Sequence, residues 1–210
     1  MRPALGDHKV PLLYELQVKE KASFAREVFG VQENTFNVAD CFRFLTRNDP
    51  FNRGLLKIAY HKEADFVWPA YMEIGKNNVF HVKQHVWEEM DEGTPEARDV
   101  GGHELGHLVL HDRWSQPFSG VMAKWISFDE ESAEWQADKF DAHFLIPDSV
   151  VYQQILPRFV SMSCDITIRI ARIKLGKSCG YIGECCSNCC NFTLVRGRYN
   201  LRCDTCGKYC

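Results

Sequence analysis

The chain has 210 residues, of which 45% are hydrophobic and 25% are charged, as is ordinary for a soluble globular protein. Its formal net charge of -3 lacks the basic excess that is typical of nucleic-acid-binding proteins. We find no apolar run of the roughly 18 residues that a membrane helix needs and no secretory signal, so we expect a cytoplasmic protein without a membrane segment.

The first half of the chain predicts two helices followed by a small sheet. One helix is expected over residues 18–29, ending at Gly30, and a second over 38–47, capped by Asn37. Three short stretches then have the residue pattern of strands: 55–60, 69–74 and 78–83. The segment Gly75–Asn77 predicts a hairpin turn between the last two strands.

The second half of the chain predicts helices. Thr94 and Pro95 are a typical cap and first residue of a helix, which we expect to reach residue 112. Further helices are predicted over 129–147, 148–155 and 164–175, the last capped by Ser163. The composition changes at Gly176. We therefore predict an α+β domain over residues 1–176 that is mostly helical with one small β-sheet.

Residues 103–107 read H-E-L-G-H, which matches the H-E-x-x-H motif of zinc hydrolases. Side chains four positions apart on a helix share a face and differ in height by about 6 Å, so His103 and His107 can bind one ion. Glu104 projects about 100° away from His103, beside the ion, where a general base takes a proton from the attacking water. The motif therefore predicts a zinc hydrolase with Glu104 as its catalytic residue.

His111 cannot complete this site, because it lies about 12 Å from His103 along the helix axis. We expect it to be a C-terminal helix residue favoured by the helix dipole, with a contact to a ligand or substrate as the alternative. The sequence does not select the residue that would stabilise the oxyanion of the reaction. The candidates are Tyr71, His81, His85 and His111.

The third metal ligand must come from another element. The helix predicted over 129–147 carries five acidic residues: Glu130, Glu131, Glu134, Asp138 and Asp141. Glu134 and Asp138 are four positions apart and share a face. One of them can therefore bind the metal while the other holds the second N–H of a ligand histidine. The alternative is a solvated acidic helix face.

Two segments match the pattern of a known family. The shared residues are Arg98, the H-E-L-G-H motif with the following Leu108 to His111, then Glu134, Ala137, Asp138, Phe140 and the closing 144–147. Through them the chain resembles the ImmA/IrrE family of zinc metallopeptidases over roughly residues 20–176. The register of this match selects Glu134 over Glu130 and Glu131 as the third ligand.

The resemblance implies a compact helical metallopeptidase domain with a small sheet. It also implies one catalytic zinc ion held by His103, His107 and Glu134, with Asp138 orienting a ligand histidine. The implied activity is endopeptidase cleavage of a protein substrate, which in members of the family is a helix-turn-helix transcriptional repressor. The alternative function is a non-catalytic, metal-binding regulator that acts by binding a protein or nucleic acid.

The chain departs from the family pattern at three places. Gly101 and Gly102 replace Leu-Ala just before the first histidine. They cost about 1 kcal/mol each if they are helical, and the alternative is that they loosen the helix entry. Asp141 stands where the family prefers a small residue. The third departure is a Cys-rich tail over residues 177–210.

The tail holds all of the ten cysteines except Cys41 and Cys164. Two C-x-x-C pairs, Cys186/Cys189 and Cys203/Cys206, predict a closed zinc site in a zinc-ribbon-like module, because so short a segment cannot bury a sufficient core. Four neighbouring cysteines leave the choice of ligands open: Cys179, Cys185, Cys190 and Cys210. Disulfides and a redox role are the alternatives, and the tail's three arginines predict weak nucleic-acid binding or none.

Overall fold

The structure is a computed structural model that describes residues 9–32, 35–63, 67–75, 77–111, 128–148, 150 and 157–174. Within these ranges the fold is α+β, as predicted, with seven α-helices and a three-stranded sheet. The helices are α1 Glu15–Val28, α2 Val38–Leu45, α3 Gln84–Glu92, α4 Pro95–Leu110, α5 Ala133–Leu145, α6 Pro157–Cys164 and α7 Ile168–Lys174. The strands are β1 Leu56–His61, β2 Ala70–Glu73 and β3 Asn78–Lys83.

The sheet is mixed, with β3 in the centre. β1 runs parallel to β3, and β2 runs antiparallel to it. Phe80 and Val82 of β3 are fully buried, and Phe80 stacks on Phe42 of α2 with ring centroids 4.1 Å apart. Because side chains alternate along a strand, His81 lies on the opposite face of the sheet.

Two helix starts are confirmed. Asn37 caps α2 by accepting a hydrogen bond from the Ala39 backbone N–H at 2.8 Å, and Thr94 precedes Pro95 at the start of α4. The helix predicted over 129–147 starts later, because Ser132 is extended and its side chain accepts from the Trp135 N–H at 2.9 Å. Only a short 3-10 turn, Asp129–Glu131, precedes it.

The single helix predicted over 164–175 is wrong. The chain instead forms α6, which runs through Ser163, and then α7. Asp165 between them has a left-handed φ of 50°, which ends α6. The buried Arg98 of α4 donates to the carbonyl oxygens of Cys164 and Asp165 at 2.7 and 2.8 Å. These hydrogen bonds replace those that the carbonyl groups would have made if the helix had continued.

The glycines before the motif do not loosen α4, which is continuous from Pro95 to Leu110. They allow close packing instead. A methyl group on Gly101 would lie 2.8 Å from Val38 Cγ1 and 2.9 Å from Met90 Sδ. One on Gly102 would overlap the Asp141 side chain. Of the two alternatives, the glycines are therefore helical, and the loosened helix entry is wrong.

Several predictions concern residues outside the described ranges. They are the tail with Cys186, Cys189, Cys203 and Cys206, the domain boundary at Gly176, most of the helix over 148–155, and the centre of the hairpin turn at Lys76. These stay predictions. Among the helices that the structure describes, none combines the length and the apolar character needed to cross a membrane.

Candidate metal centre

The crossing of α4 and α5 brings the motif histidines against an acidic residue. Gly106, inside the motif, allows this crossing, because a methyl group there would lie 3.1 Å from Ala137 Cα. The cap at Ser132 places Glu134 in the first turn of α5, where the positive end of the helix dipole favours a carboxylate. His103, His107 and Glu134 thus form one group that could hold a metal ion.

Ligand atoms of three residues converge in this group. His103 Nε2 and His107 Nε2 are 3.1 Å apart. Glu134 Oε2 lies 3.3 Å from His103 Nε2, and Glu134 Oε1 lies 3.5 Å from His107 Nε2. Each of these atoms offers a lone pair or a negative charge, which is the chemistry of a cation site.

The spacing fits a small divalent cation. Bonds of about 2.0–2.1 Å at tetrahedral angles place ligand atoms about 3.3 Å from one another. The three observed separations lie around this value. Two imidazoles and a carboxylate suit zinc, manganese or iron. The donor set therefore indicates a site for a divalent cation and does not select one of these metals.

Asp138 lies behind His103. Its Oδ1 is 2.9 Å from His103 Nδ1, and both of its carboxylate oxygens lie 3.1 Å from Arg169 Nη1. Burial raises the pKa of Asp138, but the hydrogen bonds and charges of His103 and Arg169 outweigh burial and lower it. An ionised Asp138 accepts the Nδ1 hydrogen of His103, so His103 Nε2 carries the lone pair that faces the group.

Glu134 is ionised for similar reasons. Burial raises the pKa of its carboxyl group, but the hydrogen bonds and charges of His103 and His107 lower it by more. The carboxylate therefore carries its charge at neutral pH and can act as a metal ligand.

Glu104 directly follows His103 on α4 and is 8% exposed. Its side chain is therefore buried against other parts of the fold, and its role as the general base stays a prediction of the motif.

His111 has a different environment from the one expected. It follows the last residue of α4, but its side chain is buried, and its Nδ1 lies 3.1 Å from His107 Nδ1. Burial, together with the charge of the neighbouring His107, lowers the pKa of His111 to about 3. The ring is therefore neutral at pH 7 and cannot act as a cation at the helix dipole. The structure has the alternative instead, a contact with a residue of the candidate metal group, His107.

Gln136 is a residue of this centre that the sequence analysis missed. Its Oε1 lies 3.2 Å from His111 Nε2, and its side chain is fully buried. No local pattern marks it, because its partners Pro11 and His111 are 125 and 25 residues away in the chain. Only the tertiary fold brings them together.

The other oxyanion candidates lie on the outer face of the sheet or at its end. Tyr71 stacks on His81 with ring centroids 4.4 Å apart, and His81 Nε2 lies 3.0 Å from Glu73 Oε2. His85 Nδ1 lies 2.8 Å from Glu63 Oε2. Among the described residues, neither His81 nor His85 belongs to the group that could hold a metal ion.

Comparison with known proteins adds little. No family model matches the chain, and no solved structure matches it. A stretch of 32 residues, 15% of the chain, is 61% identical to the vitamin B12-dependent ribonucleotide reductase of Bradyrhizobium diazoefficiens. That stretch spans 3% of the length of the reductase, so the match carries no conclusion about the fold or activity of this chain.

Proposed function

We propose that this chain is a zinc-dependent endopeptidase of the ImmA/IrrE type. The observation that carries the proposal is the convergence of His103 Nε2, His107 Nε2 and the Glu134 carboxylate at 3.1 to 3.5 Å from one another. Two histidines and one glutamate are the ligand set of thermolysin-like catalytic zinc sites, which keep a fourth position open for water or substrate.

In the proposed reaction, the zinc ion and the side chains of this chain have different roles. Zinc, when bound, lowers the pKa of a water ligand towards about 7 and polarises the scissile carbonyl. Glu104 accepts a proton as the water oxygen attacks the carbonyl carbon, and then delivers it to the leaving nitrogen as the C–N bond breaks. Asp138 and Arg169 hold His103 in orientation throughout the reaction.

The substrate that we propose is a protein, and specifically a helix-turn-helix transcriptional repressor. This part rests on the resemblance of residues 98–147 to the ImmA/IrrE pattern. The same metal group would serve a non-catalytic regulator equally well, and Glu104 separates the two functions because only an enzyme needs a general base.

The test compares the full chain with Glu104→Gln, using a proteome-derived peptide library as the substrate and mass spectrometry as the readout. Zinc-loaded wild type should generate new peptide termini, and Glu104→Gln should reduce the rate by about 100-fold or more while its zinc content stays unchanged. Glu96→Gln is the matched control, because Glu96 lies exposed in the first turn of the same helix. Cleavage by Glu104→Gln at the wild-type rate would overturn the proposal.

A further inference from the structure

A chain of hydrogen bonds leads from the far side of His107 to the N-terminal segment. His107 Nδ1 lies 3.1 Å from His111 Nδ1, and His111 Nε2 lies 3.2 Å from Gln136 Oε1. The amide nitrogen of Gln136 lies 2.9 Å from Pro11 O and 2.6 Å from Glu130 O. We call His107, His111 and Gln136 the histidine relay.

The direction of each bond in the relay follows from its far end. Backbone carbonyls only accept, so the Gln136 NH₂ group donates to Pro11 and Glu130, and its Oε1 faces His111. Because an amide oxygen only accepts as well, His111 Nε2 must carry a hydrogen. A neutral His111 then has a lone pair on Nδ1, which can be satisfied only by a hydrogen on His107 Nδ1.

The surroundings of His111 select its tautomer. Its side chain is 2% exposed, so its ring nitrogens form hydrogen bonds with their protein neighbours. Within the described part of the chain these neighbours are another imidazole and an amide oxygen. With Nε2 donating to the amide oxygen, Nδ1 is the ring nitrogen left to accept from His107, and His107 Nε2 then keeps the lone pair that faces the metal group.

We propose that His111 and Gln136 are positioning residues that hold His107 in its metal-binding tautomer. This inference rests on the metal site of the proposed function. It also explains an asymmetry of the centre, since His103 is oriented by the ionised Asp138 and His107 by an uncharged ring and amide. The relay orients the second ligand without adding another negative charge beside Glu134.

The proposal requires glutamine at position 136. A glutamate there would place an oxygen in place of the amide nitrogen, 2.6 Å from Glu130 O and 2.9 Å from Pro11 O, and the oxygens would repel one another. Its charge would also favour a charged His111. Gln136→Glu should therefore disrupt the relay although the two side chains have nearly the same shape.

The first experiment reads the tautomers of the wild-type chain. The full chain is labelled with ¹⁵N-histidine, and long-range ¹H–¹⁵N correlation spectra are recorded at pH 7 after chelation and after zinc loading, with assignment by single histidine variants. We expect the hydrogen of His107 on Nδ1 and that of His111 on Nε2 in both states. A hydrogen on His107 Nε2 in the chelated protein, or on both nitrogens of His111, would overturn the proposal.

The second experiment compares variants by zinc affinity and by the same spectra. His111→Leu removes the acceptor for His107, whereas His111→Gln keeps an oxygen that can accept. We expect zinc affinity to fall by about 10- to 100-fold in His111→Leu and Gln136→Glu, with mixed His107 tautomers, and to be rescued in His111→Gln. Gln84→Glu is the matched control, since Gln84 is exposed at the start of α3, and it should leave the affinity unchanged.

The outcomes separate this inference from the proposed function. Expected tautomers and zinc binding without peptide cleavage would leave the relay in place and remove the endopeptidase. Peptide cleavage by a His111→Leu variant that keeps wild-type zinc affinity and the His107 Nδ1 hydrogen would support the endopeptidase and overturn the relay. Where a variant does not fold, the wild-type spectra still decide whether the relay exists.

Discussion

The carboxyl group of Asp141 occupies the space that a side chain at Gly102 would fill. Neither oxygen of Asp141 has a hydrogen-bond partner among the residues that the structure describes. Complete burial, with the neighbouring Asp99 adding to it, raises the pKa of Asp141 well above its usual value. Gly102 and Asp141, which both depart from the ImmA/IrrE pattern, therefore belong together. The missing methyl group at Gly102 makes room for an uncharged carboxyl group at Asp141.

This pairing predicts strong coupling between substitutions at the two positions. Gly102→Ala alone should destabilise the fold by about 1–3 kcal/mol, because its methyl group overlaps Asp141. Asp141→Ala removes a buried polar group without partners, which we expect to stabilise the fold by about 1–3 kcal/mol. In the double variant the new methyl group fills part of the vacated space, so it should be more stable than the wild type.

Urea unfolding of the four proteins, in the same metal state, measures this coupling. Gly101→Ala combined with Asp141→Ala is the control pair, because Gly101 faces Val38 and Met90 instead, and its effects should be additive. Additive effects for Gly102 and Asp141, to within about 0.5 kcal/mol, would contradict the prediction.

The sequence predicted best what is local. The spacing of His103 and His107 follows from the helix period, and the cap at Asn37 depends on neighbouring residues alone. Thr94 and Pro95 start α4 as predicted, but the Thr94 side chain makes no cap hydrogen bond. Glu134 could be selected from five acids only through the register of a family pattern. The structure brings it to the two histidines, with Asp138 behind His103.

The features that the sequence did not predict depend on contacts between distant segments. The amide of Gln136 is oriented towards His111 by the carbonyls of Glu130 and Pro11, and Pro11 lies in the distant N-terminal segment. The break between α6 and α7 accompanies two hydrogen bonds from Arg98 of α4. Neither a hydrophobic period nor a cap residue carries this information. For the glycines before the motif, the helix cost is visible in the sequence, but the close packing against Val38, Met90 and Asp141 is not.

Asp138 should control metal affinity through His103. Asp138→Ala removes the acceptor of the His103 Nδ1 hydrogen and leaves Arg169 without its carboxylate, so we expect zinc to bind about 10- to 100-fold more weakly. Competition with a chromophoric chelator measures this change. Asp40→Ala is the control, since Asp40 is exposed and pairs with Arg43 on α2. Equal affinities of Asp138→Ala and the wild type would contradict this role.

The Cys-rich tail should add a second ion. Elemental analysis of the purified full chain should give about two zinc ions per chain if the four cysteines of the two C-x-x-C pairs bind one. A double variant, Cys186→Ser with Cys189→Ser, should retain about one ion, held by His103, His107 and Glu134. A stoichiometry of one in the wild type that persists in the double variant would leave the tail without a metal.

His143 should make the fold sensitive to mild acid. Its Nδ1 lies 2.7 Å from Lys174 Nζ and its Nε2 lies 3.3 Å from Glu15 Oε1, an arrangement that suits a neutral ring, with Nδ1 accepting and Nε2 donating. Burial, reinforced by the positive charge of Lys174, lowers the pKa of His143 to about 4. In the unfolded chain the pKa is about 6.5.

The unfolded state therefore binds more protons than the folded state between these two values, and stability falls as the pH falls through that window. From pH 7 to pH 5 the contribution of His143 is a loss of about 2 kcal/mol. Urea unfolding at pH 7, 6 and 5 should show a smaller loss in His143→Gln than in the wild type. His85→Gln, at a half-exposed position, should behave as the wild type does, and a His143→Gln curve parallel to the wild-type curve would exclude this origin of acid sensitivity.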